Sequence, residues 1–429
     1  MTRRSVVAAE WVIPLEGPPL TPGFVSIDES GLIEAVAQGP PPDDRGPVVD
    51  FGAAAILPGF VNAHAHLGCA ILKGVADDAS FEEWLTGGVT PRLMRAVRET
   101  PGKVEEAALA AARELVAGGV TCVVDSFFFG GDRRALEVSG LRARFHREYF
   151  GSRADDLDEY VAASRAQMDR DAAAESPVGP GVAPHAPYSC PRDVLVAVVR
   201  AARERGLPVT IHLDESPAER HFFLERRGPL FEAFGPGREE RYDFGVSPAR
   251  YLDALGLLGP DVLLVHAVGF DDEDIELIAA RRAPVVHCPS SNQKLGVGIA
   301  PVSALRAAGA LVALGTDSHA SVGRLDMFQE MRTAIFGQRV LTGDVAALGA
   351  GDALAMATID GARAIGLDEG IGSLRPGKAA DLQVVNLGGV RHGVRAPDVV
   401  SELVYSCGPE DVLAVWVAGR LVHESDASR

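Results

Sequence analysis

Short apolar, β-branched runs recur along the middle of the chain, and a polar residue and then a longer amphipathic stretch follow each of them. The runs predict eight buried strands, at residues 55–61, 120–125, 144–149, 181–184, 208–212, 262–266, 283–287 and 311–315. Amphipathic helices are predicted between several of them, at residues 103–117, 191–205, 271–281 and 302–308. Strands that alternate with helices and hide both faces are typical of parallel sheets, because parallel pairing needs crossover connections. The pattern therefore predicts an α/β fold, a (β/α)8 TIM-like barrel.

An open, doubly wound sheet is the alternative architecture. It predicts a glycine-rich dinucleotide-binding turn after an early strand, and no GxGxxG motif stands there. The two ends of the chain show short β runs instead, at residues 5–13, 23–27, 32–37, 380–386, 403–405 and 412–422, with a helical stretch at 351–365 before the last three. We expect residues 1–54 and 366–429 to form a small β-sandwich domain beside a barrel domain of residues 55–365.

Composition narrows the class of partner. The chain has 429 residues, and its 41 basic and 59 acidic side chains give a net charge of −18, which repels phosphate backbones and anionic lipids. No apolar run approaches the roughly 18 residues that a membrane-spanning helix needs. The five cysteines are scattered and lack a CxxC pair, as in proteins of a reducing compartment. We expect a cytoplasmic protein that binds a small molecule, and neither nucleic acid nor membrane.

Titratable residues stand at the ends of the predicted barrel strands. They are His64, His66, Asp125, Glu148, His185, His212, His266, His287 and Asp317. The loops that follow the strands of such a barrel line one face, so these side chains should converge in space. A single buried histidine is more often a structural group than a ligand. Six of the 11 histidines at equivalent strand ends instead indicate a functional site.

The histidines predict a metal centre. His64 and His66 are two residues apart on one strand, so both imidazoles face the same way and can reach one ion. A nitrogen from His212 and a carboxylate from Asp317 would complete a site that keeps a position open for water. Such a donor set suits Zn²⁺ or Fe²⁺. Asp317 has an alternative role as a helix N-cap in the turn with Thr316.

A metal site of this kind lowers the pKa of bound water and still needs a group that carries protons to the leaving group. Glu215 is the candidate, although three residues after His212 on a straight strand it would face away. The chain must therefore bend after His212, and Pro217 favours such a bend. A solvated surface Glu is the alternative. His266 is placed to hydrogen-bond the attacking water or the developing charge, and His287 is a supporting group.

Several motifs occur together and in order. They are PGFVNAHAH at 58–66, SFEEWL at 80–85, His212-x-x-Glu215, VHA at 265–267, HCPSSN at 287–292, GTD at 315–317 and PGKAADL at 376–382. Together they resemble the amidohydrolase superfamily. They look like the branch that holds one metal ion and contains adenosine-type, guanine and methylthioadenosine/S-adenosylhomocysteine deaminases and s-triazine hydrolases. The predicted fourth strand ends in APHAPY at 183–188, without the lysine that bridges two metals in hydantoinase-like relatives.

The resemblance implies an aminohydrolase with one divalent ion, Zn²⁺ being the expected ion and Fe²⁺ the alternative. It implies four metal ligands, namely His64, His66, His212 and Asp317. Glu215 would protonate the ring nitrogen beside the attacked carbon and help ammonia leave, while Asp317 with His266 would take the proton from the attacking water. Related barrels often form dimers, so a homodimer is also an expectation of the resemblance.

Two stretches, HLDESPAER at 212–220 and REYFG at 147–151, resemble the aminodeoxyfutalosine deaminases of a menaquinone pathway. His319 and Val322 depart from those sequences, and Leu93 stands where the homocysteine branch has a ribose-binding Glu. The substrate implied carries a benzoate, which calls for a cation near the barrel mouth. The predicted substrate contacts are Trp84, Arg92, Arg147, Glu148 and His185, with Arg220 a further cation and Phe127, Phe128 and Phe129 either a ring-binding wall or packing residues.

The function hypotheses therefore differ in substrate and in class. The first is deamination of an aminopurine nucleoside, aminodeoxyfutalosine above all. Other adenosine, S-adenosylhomocysteine or guanine deaminases and s-triazine amino- or chlorohydrolases keep the chemistry and change the substrate. A barrel that binds a small molecule without catalysis is the hypothesis from another class.

Overall fold

The computed structural model describes residues 4–41, 46–151, 156–389, 392–394 and 396–426. The strands are β1 (Ser5–Ala9), β2 (Trp11–Val12), β3 (Gly23–Ile27), β4 (Ile33–Gln38), β5 (Val48–Asp50), β6 (Ala54–Pro58), β7 (Phe60–Ala65), β8 (Val120–Phe127), β9 (Arg142–Tyr149), β10 (Val178–Pro184), β11 (Val209–Leu213), β12 (Val262–His266), β13 (Val285–His287), β14 (Val312–Leu314), β15 (Leu382–Asn386), β16 (Val412–Val417) and β17 (Arg420–Glu424).

The α-helices are α1 (Phe81–Glu83), α2 (Thr90–Glu99), α3 (Pro101–Ala117), α4 (Gly131–Ser139), α5 (Leu157–Ala173), α6 (Arg192–Arg203), α7 (Pro217–Glu225), α8 (Pro229–Phe234), α9 (Pro248–Ala254), α10 (Asp272–Arg281), α11 (Pro289–Lys294), α12 (Val302–Ala307), α13 (His319–Val322), α14 (Met327–Thr342), α15 (Ala350–Met356), α16 (Ile359–Ala364) and α17 (Val399–Ser406). Short 3₁₀ helices lie at Leu67–Leu72, Glu239–Arg241 and Pro409–Asp411, and a π-helical turn at Trp84–Val89. Of the helices in the described ranges, none combines the length and the apolar character needed to cross a membrane.

Eight parallel strands, β7 to β14, pair in sequence order. An isolated parallel bridge between Ala65 and Asp317 joins the first strand to the segment after the last one, so the sheet curves almost into a closed cylinder. Helices lie between consecutive strands, as crossover connections require. The predicted (β/α)8 TIM-like barrel is confirmed.

Two smaller sheets flank the barrel. One has the order β4-β3-β1-β5, and the other has the order β17-β16-β15-β6-β2 and so combines strands from both ends of the chain. Side chains of both sheets, among them Val25, Ile56 and Leu382, pack into one buried cluster. This arrangement confirms the predicted sandwich of N- and C-terminal segments, while its exact domain boundaries stay a prediction.

The first predicted barrel strand, residues 55–61, is wrong in its bounds. Ala54–Pro58 pairs antiparallel with β15 in the flanking sheet, whereas Phe60–Ala65 pairs parallel with β8. Both segments are fully buried, so the apolar run continues from one sheet into the other without a change in pattern. The break falls at Gly59, whose backbone N–H donates to the carbonyl oxygen of Asp381 in the linker before β15.

The β run predicted at residues 403–405 is also wrong, because these residues lie in α17. Asp398 caps this helix and accepts hydrogen bonds from the backbone N–H groups of Val400 and Ser401. Leu403 and Val404 are buried on the same side as Val399, which is the spacing of a helix. The helical stretch predicted at 351–365 is two helices, α15 and α16.

Gly181 gives a test of packing inside the barrel. A Cβ atom at this position of β10 would lie 2.0 Å from Cδ2 of His146, whereas one at Gly179 would lie 3.4 Å from Cγ of Arg144. We expect Gly181→Ala to lower the free energy of unfolding by about 1–3 kcal/mol, since inserting atoms into a packed core forces side chains apart. Gly179→Ala is the matched control on the same strand and should leave it unchanged or slightly raised. Urea unfolding of both variants measures the difference, and equal stabilities would contradict the packing described.

Candidate metal centre and active site

Three imidazoles and a carboxylate meet where the barrel strands end. His64 and His66 come from β7 and His212 from β11, and Asp317 follows β14. The Nε2 atom of His212 lies 3.1 Å from Nε2 of His66 and 3.2 Å from Nε2 of His64. Oδ1 of Asp317 is 3.7 Å from Nε2 of His66. Residues that are up to 253 positions apart in the sequence therefore share one small volume, as the barrel predicted.

The surroundings of these rings orient their lone pairs. Nδ1 of His66 lies 2.6 Å from the carbonyl oxygen of Ser126, and Nδ1 of His212 lies 2.8 Å from that of His185. A carbonyl only accepts, so each Nδ1 carries the proton and each Nε2 of a neutral ring carries a lone pair. Burial and the neighbouring imidazoles hold the pKa of His212 well below its usual value, which keeps this ring neutral.

This donor set fits a divalent cation. Lone pairs of two imidazoles that face each other at about 3 Å repel unless a cation lies between them. His64 has the same neutral character, since burial and the adjacent imidazoles lower its pKa well below the usual range. Neutral histidine and carboxylate are the ligands that Zn²⁺ and Fe²⁺ take.

Asp317 is held in a strained and well-supported position. Its φ is +60°, a conformation that non-glycine residues seldom adopt, and its backbone N–H donates to the carbonyl oxygen of His64. Its Oδ2 accepts hydrogen bonds from the hydroxyls of Ser291 at 2.6 Å and Ser321 at 2.8 Å, which leaves Oδ1 toward His66. The N-cap of α13 is Ser318, so the alternative in which Asp317 caps this helix does not hold.

Glu215 lies at the site because the chain turns sharply after β11. Asp214 has a φ of +53°, and Ser216 caps α7 directly afterwards. The turn brings Oε1 of Glu215 to 3.5 Å from Nε2 of His266. Glu215 is only 7% exposed, which excludes the alternative of a solvated surface residue. Burial, reinforced by Asp317, raises the pKa of Glu215 well above its usual value, which favours the protonated form of the carboxyl group.

His266 completes the group on the other side. It ends β12 with a φ of +81°, and its Nδ1 lies 2.9 Å from Oδ1 of Asn292. Nδ1 donates to this oxygen, so Nε2 is the acceptor and faces the site. Ligand atoms of Glu215, His266 and Asp317 all lie within 4.8 Å of one another. The structure thus brings together a proton donor, a base and a carboxylate.

Two buried acids fix the chain that leaves the His64-Ala65-His66 motif. Asp125 accepts a hydrogen bond from the backbone N–H of Leu67 at 2.8 Å, and Asp132 accepts one from that of Gly68 at 2.7 Å. Burial raises the pKa of Asp125 to about 6, and burial together with Asp125 raises that of Asp132 well above its usual value. These acids hold the backbone that directly follows His66, and the charge of Asp125 also helps to raise the pKa of the His66 ring.

Two of the predicted substrate contacts, His185 and Glu148, lie directly beside this centre. His185 stacks beside His212 with ring centroids 4.9 Å apart, and Phe150 follows at 4.7 Å from His185. Glu148 is buried, with Oε1 3.8 Å from Nδ1 of His66, and burial raises its pKa to about 7. Trp84 is buried in the π-helical turn.

The three candidate arginines differ in what they already bind. Arg147 forms a bidentate pair with Asp171 at 2.6 and 3.0 Å, and Arg220 contacts several aspartates, including Asp214 at 2.6 Å. Arg92 is exposed on α2, and its Nη1 donates to the carbonyl oxygens of Gly87 and Gly88. Among the described residues, no carboxylate pairs with Arg92, so its charge is available to a ligand.

Two histidines that the sequence singled out stand outside the ligand set. His287 is buried, neither ring nitrogen has a hydrogen-bond partner in the described ranges, and burial lowers its pKa to about 3. Nε2 of His319 lies 3.0 Å from Oε2 of Glu114 on α3, so this ring joins α13 to the outer helices.

Comparison with known proteins agrees with this geometry. A family model described as the amidohydrolase family matches residues 55–422. The chain belongs to the amidohydrolase family. A 5-methylthioadenosine/S-adenosylhomocysteine deaminase of Pelotomaculum thermopropionicum is 34% identical over 424 residues, which cover 96% of this chain and 92% of that protein.

The fold of this amidohydrolase is similar to that of deaminases whose structures have been solved. An adenosine deaminase from Xanthomonas campestris with bound zinc has a TM-score of 0.85 at 32% identity, covering 98% of this chain and 94% of that one. Helicobacter pylori aminofutalosine deaminase in complex with methylthio-coformycin has a TM-score of 0.82 at 23% identity, covering 98% and 100%, which shows a shared fold. The chain is thus a hydrolase that acts on C–N bonds of cyclic amidines, with a divalent metal ion.

Sequence reasoning missed the residues that support the site. Ser321 and Asp132 were assigned no role, and Ser291 and Asn292 were noted only as part of a motif. Glu219 was also missed, although its Oε2 accepts a hydrogen bond from the backbone N–H of Glu215 at 3.1 Å. A signal for Glu219 exists, because it is four residues after Glu215 and so one helical turn away. Ser321 has the same signal, since it is four residues after Asp317. Ser291, Asn292 and Asp132 bind partners that are distant in the sequence, which no local spacing reveals.

The metal centre can be tested through its metal content. His212→Asn removes one of the three converging nitrogens, and we expect affinity for Zn²⁺ to fall about tenfold or more. His221→Asn is the control, since that ring is exposed on the nearby α7 and offers no atom to the site. Elemental analysis after dialysis against a weak chelator compares the two variants with the unaltered protein. Equal metal content in all three would exclude the assigned centre.

Proposed function

We propose that the protein hydrolyses the exocyclic amino group of a 6-aminopurine nucleoside and releases ammonia. One observation carries this proposal: Glu215, whose burial favours its protonated form, lies 3.5 Å from His266 and beside the three converging imidazoles. A donor and an acceptor of protons on the two sides of one small volume suit the replacement of an amine by water. The deaminases among its relatives support the same reaction.

The ligands we propose for the metal are His64, His66, His212 and Asp317, with Zn²⁺ as the preferred ion because nitrogen donors dominate and Fe²⁺ as the alternative. When bound, such an ion supplies a Lewis acid that brings the pKa of a coordinated water near neutrality.

The protein's own residues handle the protons. Asp317 and Nε2 of His266 are placed to accept the proton of the attacking water, and Ser291 and Ser321 keep the Asp317 carboxylate in position. Glu215 donates its proton to the ring nitrogen beside C6, which makes that carbon electrophilic as the new C–O bond forms. The proton taken from water then goes to the amino group, the C–N bond breaks and ammonia leaves. The remaining hydroxyl proton returns to Glu215 as the C6 carbonyl forms, which restores the proton that Glu215 gave to the ring nitrogen.

Aminodeoxyfutalosine is our first candidate substrate. An aromatic series leads outward from the metal ligands, because His185 lies beside His212, Phe150 beside His185, and Phe128 is 6.3 Å from Phe150 between ring centroids. Such a series suits a substrate with one flat ring at the reacting end and another at the far end. Arg92, with its uncompensated charge, is the cation that we propose for the benzoate.

Methylthioadenosine or S-adenosylhomocysteine is the second candidate. The relative with 34% identity is named for these two nucleosides. The structure adds a reason, because Arg147 and Arg220 are each paired with aspartate and so are not available to a substrate carboxylate.

The five cysteines are free and buried, which supports our further proposal of a reducing, cytoplasmic location. A homodimer stays an expectation.

Glu215→Gln tests the reaction. The amide cannot supply the proton, so kcat for ammonia release should fall by about a hundredfold or more while the metal content stays unchanged. Glu225→Gln on the exposed end of α7 is the matched control and should keep full activity. Ammonia release is measured with aminodeoxyfutalosine, methylthioadenosine, S-adenosylhomocysteine and an s-triazine. Metal-loaded protein that is inert toward every aminopurine would contradict the proposal and favour the triazine or the non-catalytic hypothesis.

Arg92→Gln separates the two candidate substrates. It should raise KM for aminodeoxyfutalosine about tenfold, because a charge-assisted hydrogen bond to the benzoate is lost, and leave KM for methylthioadenosine unchanged. Arg98→Gln is the control, since that side chain is exposed on the same helix and pairs with Glu99. An equal change of KM for both substrates, or no change for either, would show that Arg92 does not bind the substrate carboxylate.

A further inference from the structure

The inner face of β9 is polar along its whole length. Side chains of a strand alternate between faces, and Ala143 and Phe145 pack outward against the helices. The inward residues are Arg142, Arg144, His146 and Glu148. Barrel interiors are normally filled with branched apolar side chains, so this row needs an explanation. Glu148 belongs to the metal end, and Arg142 pairs with Asp381 at 2.9 Å; the middle two residues are unexplained.

A cavity of about 390 Å³ lies at the opposite end of the barrel, where strands β9, β11 and β12 begin. Its lining includes Arg144, His146, Arg203, Asp261 and Arg363. This face is remote from the strand ends that carry the metal ligands, so the reaction does not use it. Three arginines and a histidine around one cavity stand out in a chain whose net charge is −18.

The charges of this lining do not cancel. Arg203 neutralises Asp261 in a bidentate pair at 2.7 and 3.3 Å. Arg363 donates to Oδ1 of Asp360 through Nη1 only. Arg144 makes no hydrogen bond or ion pair with any described residue. It is also partly buried, and burial lowers its pKa, the direction expected of a charge that lacks a counter-ion.

The side chain of His146 is a second indication of a ligand, independent of Arg144. It is 2% exposed, its Nδ1 lies 2.7 Å from the hydroxyl of Thr210, and its Nε2 has no hydrogen-bond partner among the described residues. A buried polar atom without a partner costs free energy unless water or a ligand satisfies it. Because it lines the same cavity as Arg144, one occupant can satisfy both groups.

We propose that this cavity binds a small phosphate-type oxyanion, either the free ion or a phosphate monoester, through Arg144 and His146. A guanidinium group presents a planar fork of donors that matches two oxygens of such an anion. The cavity exceeds the volume of one phosphate group, so it has room for a short organic tail. Arg363 has donors left for a further oxygen.

Calorimetric titration of the metal-loaded protein with inorganic phosphate tests the site. We expect saturable binding that weakens at least tenfold in Arg144→Gln. Arg200→Gln is the matched control, because it removes the same charge from the exposed face of α6 and does not line the cavity. Arg363→Gln should weaken binding less, and it tests the same cavity from its outer side. Thermal unfolding scans establish that each variant is folded.

Phosphate that binds Arg144→Gln as tightly as it binds Arg200→Gln would overturn the proposal, since the ion would then lie elsewhere, for example at the metal centre. The absence of saturable binding to the unaltered protein would overturn it as well. Glycerol 3-phosphate is titrated in parallel. Tighter binding of glycerol 3-phosphate than of phosphate identifies a monoester as the natural ligand, and equal or weaker binding identifies the free ion, both at the cavity that we propose.

Discussion

The site depends on the convergence of three imidazoles whose Nε2 atoms face one another. Nε2 of His212 is about 3 Å from the corresponding atoms of both His64 and His66. Closure of the sheet creates this arrangement, because the bridge between Ala65 and Asp317 brings the first strand against the end of the last. Ring nitrogens held this close, beside the carboxylate of Asp317, form a donor set that suits a divalent ion.

The same closure explains where the backbone is strained. Asp214, His266, Ala267 and Asp317 all have positive φ, and all directly follow or end a barrel strand. Each such conformation costs on the order of 1 kcal/mol or more and persists only where packing over-determines it. Here the fully buried strands β11, β12 and β14 supply that packing, and the strain turns Glu215, His266 and Asp317 inward. Stability of the barrel is therefore used to hold reactive groups in one place.

Much of the fold and of the ligand set could be predicted from the sequence, because both depend on local periodicity. Alternation predicts that His64 and His66 share a face, and the recurrence of strands predicts a barrel. The break at Gly59 could not be seen, since the apolar run is buried on both sides of it. Nor could the hydrogen bond from Ser291 to Asp317, which depends on which strand ends become neighbours. Helix α17 was missed because three apolar residues suit a strand and a helix equally.

The residues that we assign to the reaction and those that we assign to substrate choice lie in different parts of the structure. The proposed metal ligands and Glu215 lie on or beside strand ends, where the barrel holds them, so relatives with about a third of residues in common can share them. The segments to which we assign the far end of the substrate, such as Trp84–Val89 and α2, lie outside the sheet, where changes of sequence are tolerated better. Arg92 belongs to these segments. It follows that the deaminase chemistry of a relative transfers more safely than its substrate, and that the role we propose for Arg92 concerns the choice of substrate rather than the reaction.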